Sequence, residues 1–142
     1  MRDSYAAGLR RLVDELGIAD RVTFSGHLED VRPALAAMDV YVHPGEPEPF
    51  GLVNLEAMAM EKPVAAFAHG ALPEIVEHGR TGLLVPPGNV EELASAVAIL
   101  LRDSEGAGRL GREGAQRVRD RFAIGGTVTA IEEVLALATD RC

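Results

Sequence analysis

The chain carries a single cysteine in 142 residues, and it is the last of them, Cys142. One thiol excludes an internal disulfide, and without a cysteine cluster there is no structural zinc knuckle. Tryptophan is absent, and aromatic residues make up only 4% of the chain. Basic charge is scarce: 14 Lys+Arg stand against 22 Asp+Glu, a net charge of −8. Lys62 is the only lysine. Phosphate backbones demand a basic footprint, so no nucleic-acid partner is expected. Long apolar runs are missing too. The longest, Leu93 to Leu101, interrupted by Ser95, falls far short of the ~20 residues a spanning helix needs. The opening residues Met1 to Tyr5 lack the apolar core of a signal peptide. The expected setting is a reducing cytoplasm, with membrane association at most peripheral, through the arginines between Arg109 and Arg121.

What is present is ordinary globular material, 47% hydrophobic and 25% charged, enough for one domain with a real core. Tyr5, Leu9, Leu12, Val13 and Leu16 recur at helical spacing, and Gly17 stands where a C-terminal cap belongs. Four strands are expected, at 21–24, 39–43, 63–67 and 81–85. Between them lie helices near 30–38, from about Leu52 to Glu61 with Leu52, Leu55 and Ala59 on one side, and from Pro73 to Val76. Asn89 followed by Glu92 forms a capping box for a helix through Leu101, and two further helices, about 104–121 and 125–138, close the chain. Strands alternating with helices imply an α/β fold: a Rossmann-like parallel sheet of about four strands covered on both faces.

The chemistry concentrates between His43 and Pro63. Pro44-Gly45-Glu46-Pro47-Glu48-Pro49-Phe50-Gly51 is too rich in proline and glycine for regular structure, so it reads as a rigid loop joining a strand end to a helix. Open α/β sheets bind ligands at such strand ends. Gly51 lets a ligand approach the backbone, and the first N–H groups of the helix, near Leu52 and Val53, suit a phosphate. Glu48 before the helix and Glu56 about one turn inside it are hydroxyl-binding acids. A phosphate between two such acids describes a nucleotide sugar, with ribose on one side and hexose on the other.

Glu48-Pro49-Phe50-Gly51-Leu52-Val53-Asn54-Leu55-Glu56-Ala57-Met58-Ala59 resembles the signature of glycosyltransferase family 4: a Glu, seven residues, a second Glu, with Phe-Gly after the first acid and Ala-Met after the second. The resemblance extends through Arg21 to Gly26, Met38-Asp39-Val40, His43-Pro44, Pro63-Val64-Ala65, Pro73 to Val76 and Thr81 to Gly88. It implies the GT-B architecture, two Rossmann-like domains with the active site between them, of which residues 1–142 match part of the second, nucleotide-sugar-binding domain. It implies that Glu48 contacts the donor hexose in the catalytic site. Phe50, Gly51, Leu52 and Val53 would offer backbone to sugar and diphosphate, Glu56 would hold the ribose, and Ser25 and Gly26 would lie near the base. The implied reaction retains anomeric configuration and moves a hexosyl unit from a UDP-, GDP- or ADP-sugar to a glycan, lipid or small acceptor. No metal and no further cofactor are expected.

The family's donor domain opens with two more strands and an Arg/Lys pair that grips the diphosphate. Neither matches anything in the chain, nor does the acceptor-binding domain. The isolated chain is therefore expected to be inactive, needing an N-terminal acceptor domain or a partner subunit. The family often has Gly where Glu61 stands before Lys62-Pro63-Val64, and two glycines where Gly70-Ala71 stands before Leu72-Pro73-Glu74. Other readings remain. The two acids can merely stabilise a helix N-terminus or form a glycosidase pair. The chain can be a non-catalytic nucleotide-sugar-binding subunit, a remnant, or a part of another GT-B enzyme. His27, His43, His69 and His78 lack metal-ligand spacing, although His69 follows a strand end and can approach a ligand. The arginines of 109–121 read as a solvated face.

Overall fold

In the computed structural model the described residues are 2–45 and 48–139. Glu46 and Pro47 of the loop and the terminal Cys142 lie outside them. The chain divides into two units, Met1–Val31 and Arg32–Cys142.

The first unit holds α1 (Arg2–Glu15) and a single 3-10 turn, Ala19–Arg21. Gly17, at φ 66°, ends α1 in the left-handed conformation. Gly17 N–H bonds the Asp14 carbonyl at 3.0 Å and Ile18 N–H bonds that of Val13 at 3.2 Å, which satisfies two orphan carbonyls of the last turn. The Arg10 guanidinium lies 4.4 Å from the centre of the Phe24 ring. The strand expected at 21–24 does not form. Val22 is extended, at φ −117° and ψ 123°, but no described residue pairs with this segment. An extended conformation is a local preference; a strand requires a ladder partner.

The second unit is built on three parallel strands, β1 (Tyr41–His43), β2 (Val64–Phe67) and β3 (Leu83–Val85), in that order. The register sets Tyr41 against Val64 and Ala65 against Leu83. β2 is central and buried at every position, while β1 is an edge strand with Val42 exposed. Side chains alternate across β2. Ala65 and Phe67 join Val85, Leu93, Ala96 and Leu100 in one core cluster. Val64 and Ala66, also fully buried, face the other way. Helices α2 (Arg32–Ala37), α3 (Leu52–Ala59), α4 (Leu72–Ile75), α5 (Val90–Arg102), α6 (Ser104–Arg121) and α7 (Ile124–Thr139) complete the unit. Covered faces and parallel strands are what the sequence pattern predicts; the sheet is one strand narrower.

Local signals explain the helix boundaries. Asn89 Oδ1 accepts from the Glu92 backbone N–H at 3.1 Å, and the Asn89 side-chain amide donates to the Glu92 carboxylate at 2.6 Å, so the return limb of the capping box runs to the Asn89 side chain while its backbone N–H bonds the Pro86 carbonyl. Asp103 caps α6 by accepting from Gly106 N–H at 2.9 Å. Lys62, the lone lysine, donates to the Ala36 carbonyl at 2.7 Å and caps α2. Ala107 and Leu110 of α6 belong to the core beside α5, after which the helix runs onto α3. Gly111 makes that crossing close: a Cβ there would stand 2.0 Å from the Glu61 carbonyl oxygen.

Candidate functional site

The loop from β1 to α3 and the loop from β2 to α4 meet at the C-terminal ends of their strands. Ala71 N–H donates to the Glu48 carbonyl at 3.0 Å. Gly70, at φ 56°, packs so closely that a Cβ would lie 2.5 Å from the same oxygen. Ala71 itself has φ −76° and ψ −10°, ordinary right-handed backbone. That is why alanine is tolerated where the resembling family often has a second glycine, whereas Gly70 is needed as it stands.

Glu48 folds back on its own loop. Its Oε1 accepts from Gly51 N–H at 3.1 Å and from Phe50 N–H at 3.4 Å. Gly51 is the N-cap residue of α3 in the left-handed region, at φ 82° and ψ 41°. Its carbonyl already accepts from Asn54 and Leu55. The backbone of Phe50 and Gly51 is thus turned toward the Glu48 carboxylate. Leu52 and Val53 are left as the first helical N–H donors with no acceptor among the described residues. Glu48 Oε2 is likewise unengaged among the described residues.

Residues 48–54 wrap a cavity of about 220 Å³ floored by Tyr41 and His43. A second, of about 370 Å³, opens on the other side of Glu48, against Gly70, Ala71, Glu74, Ile75 and Phe122. Glu56 is exposed on α3, one turn in from the cavity. The Tyr41 phenol senses both acids. Burial first, then the negative charge of Glu48, then that of Glu56, hold its pKa above the ordinary value. Asn54 is fully buried beneath Gly51, and neither its amide nitrogen nor its oxygen has a partner among the described residues. His43 Nε2 and His69 Nδ1 are also buried and have no partner among the described residues. Leaving such atoms unsatisfied costs roughly 1–3 kcal/mol each, and two of the three residues, His43 and Asn54, line the smaller cavity.

The structure brings Glu48, Phe50, Gly51, Leu52 and Val53 together at one helix start, with Glu56 on the following turn. Ser25 and Gly26 belong to the first unit, in exposed coil after the 3-10 turn, with Gly26 at φ 68°. The helix face differs from the sequence expectation. Leu52 is exposed, while Asn54, Leu55, Ala57 and Met58 are buried. The buried face runs through Gly51, Asn54, Leu55 and Met58, with Leu52, Glu56 and Ala59 on the exposed side. Tyr41, His43 and Asn54 line the site as well, a role the sequence pattern does not assign to them. Polar side chains at core spacing were the available signal, and all three flank the signature loop. Among the described residues no three of the His, Cys, Asp and Glu side chains converge as a metal cluster would.

Residues 2–103 match a family model described as Glycosyl transferases group 1. Among curated relatives, the N-acetyl-alpha-D-glucosaminyl L-malate synthase of Bacillus anthracis is 38% identical over 112 residues, covering 79% of this chain and 29% of its own. Among solved structures, the sucrose-phosphate synthase of Thermosynechococcus elongatus superposes with a TM-score of 0.88 at 35% identity, over 98% of this chain and 35% of that one. Anabaena HepE, solved in complex with UDP, reaches a TM-score of 0.90 at 33% identity, over 94% of this chain and 37% of HepE. HepE has also been solved in complex with UDP-glucose. The chain spans 22% to 29% of the length of the first curated relatives it matches. No helix among the described residues is long and apolar enough to cross a membrane. In signature, in sheet and in the order of its elements, the chain belongs to the group 1 glycosyltransferases of the GT-B fold.

Proposed function

We propose that this chain is the donor-binding part of a retaining hexosyltransferase, and that the start of α3 is where the diphosphate of a nucleotide sugar binds. One observation carries the reading. Glu48 takes the N–H groups of Phe50 and Gly51, and the next two, those of Leu52 and Val53, have no acceptor among the described residues and stand at the positive end of the helix dipole. The free Oε2 of Glu48 accepts from hexose hydroxyls, and Glu56, a turn along the same helix, accepts from those of the ribose. Transfer leaves negative charge on the departing diphosphate. The helix start stabilises it where it develops, with dipoles already in place.

The UDP-bound and UDP-glucose-bound relative supports a nucleotide-sugar donor. Transfer further requires an acceptor-binding domain or partner subunit, so residues 1–142 alone bind donor without turning it over. Calorimetric titration with UDP, GDP and ADP tests the reading. One nucleotide should bind, and Glu56→Ala should weaken it about tenfold, the worth of one charged hydrogen bond. Equal, Glu56-independent responses to all three would refute it.

A further inference from the structure

Arg117 of α6 does not lie on a solvated face. Its side chain is 15% exposed, and its guanidinium is spent inside the protein. Nε donates to the Ile75 carbonyl at 2.7 Å and Nη2 to the Glu74 carbonyl at 2.7 Å, while Nη1 engages the Glu77 carboxylate. Glu74 and Ile75 end α4, so their carbonyls are the orphan acceptors of a helix C-terminus, and a planar cation completes them and the dipole together. Arg80 braces the same carboxylate at 3.0 Å and ties it to Glu113 at 3.3 Å.

What α4 touches at its other side is the donor loop. Ala71, its N-cap residue, donates to the Glu48 carbonyl. The Ile75 side chain reaches under Gly51: its Cδ1 lies 3.2 Å from where a Gly51 Cβ would stand. Ile75 is therefore gripped by Arg117 through its carbonyl and supports Gly51 through its side chain. Gly51 N–H in turn holds the Glu48 carboxylate. A four-residue helix has little stability of its own, so its placement depends on that grip.

We propose that Arg117 is a positioning residue for the donor-sugar acid. By capping α4 it sets Ala71 and Ile75 against the loop and thereby fixes the Glu48 carboxylate. The proposal rests on the donor reading above for its functional consequence. Its structural core can be read without any ligand. The family match ends at residue 103, so Arg117 lies outside the region that the family pattern describes.

The test uses the whole chain with Arg117→Gln, Arg117→Lys and, as a control on the exposed face, Arg119→Gln. Amide NMR and hydrogen exchange supply the first readout. Arg117→Gln is expected to shift the Gly51 and Ala71 amides and speed their exchange about tenfold, with β2 amides unchanged. Arg117→Lys should fall between, because it keeps the charge and loses the fork. Arg119→Gln should do nothing. Titration with UDP and with UDP-glucose is the second readout. Arg117→Gln should weaken UDP-glucose about fivefold and leave UDP within twofold, since a displaced Glu48 costs sugar contacts and spares the nucleotide. Gly51 and Ala71 amides that stay in place while melting temperature falls would overturn the proposal, as would equal losses for both ligands. If the unsubstituted chain binds neither UDP nor UDP-glucose, the GDP- and ADP-linked pairs are titrated in the same way; silence from all three pairs means that the donor reading fails, and the amides still decide whether Arg117 positions Glu48.

Discussion

The Glu48 carboxylate accepts a hydrogen bond from the Gly51 N–H at 3.1 Å, joining the first acid of the signature to the residue that starts α3. An acid three residues before a helix gains by receiving backbone N–H groups. Here Oε2 also stays unengaged among the described residues, beside the first helical N–H groups of Leu52 and Val53. The same contact serves stability and site geometry.

Gly51→Ala is the sharpest probe of that contact. Left-handed backbone costs a non-glycine residue roughly 1–2 kcal/mol. The added Cβ would also meet Asn54 Nδ2 at 3.0 Å and Ile75 Cδ1 at 3.2 Å. Denaturant unfolding should show a loss of about 1–3 kcal/mol, and nucleotide titration should show a loss of binding. Unchanged stability would contradict the left-handed N-cap.

Tyr41 reports the acids through pH. Its raised pKa means that the native state holds the phenolic proton past the point where the unfolded chain, near 10, gives it up. The stability it contributes is complete below about pH 10 and is lost as pH rises through the higher native value. Tyr41→Phe should flatten this alkaline limb. Glu48→Gln and Glu56→Gln should each bring the Tyr41 titration to lower pH, Glu48 more. Tyrosinate absorbance in a Tyr5→Phe background isolates the signal, because the chain has two tyrosines. A midpoint indifferent to both acids would separate Tyr41 from them.

One contact between α6 and the end of α3 predicts opposite signs for two substitutions. Glu61 is held at φ 58°, a left-handed position that favours glycine, which the resembling family often has there. Glu61→Gly should stabilise by up to about 1 kcal/mol, strain relief outweighing the added freedom of the unfolded chain. Gly111→Ala places a Cβ 2.0 Å from the Glu61 carbonyl oxygen and should destabilise by about 3 kcal/mol or more. Thermal melts of the two variants against the parent check both.

Local features were legible in the sequence. Gly17 and Asn89 are the caps that the sequence predicts, and α6 and α7 fall within a residue or so of the expected helices. The signature predicted a loop, a glycine and a helix start in the right order. What it could not carry was non-local. The Val22 segment has strand chemistry and no partner. The exposure of Leu52 follows from which face of α3 meets the core, a matter of tertiary packing. Arg117 looked like one more cation on a charged helix, because the carbonyls it caps lie some 40 positions earlier and belong to a four-residue helix.

The most direct measurement is a crossed titration: Glu48→Gln and Glu56→Gln, each against UDP and UDP-glucose, with GDP and GDP-mannose alongside. The account predicts that Glu56→Gln weakens nucleotide and nucleotide sugar by the same factor, about tenfold. It predicts that Glu48→Gln weakens only the nucleotide sugar. Two variants that weaken both ligands alike, or neither, would contradict the assignment of one acid to each sugar.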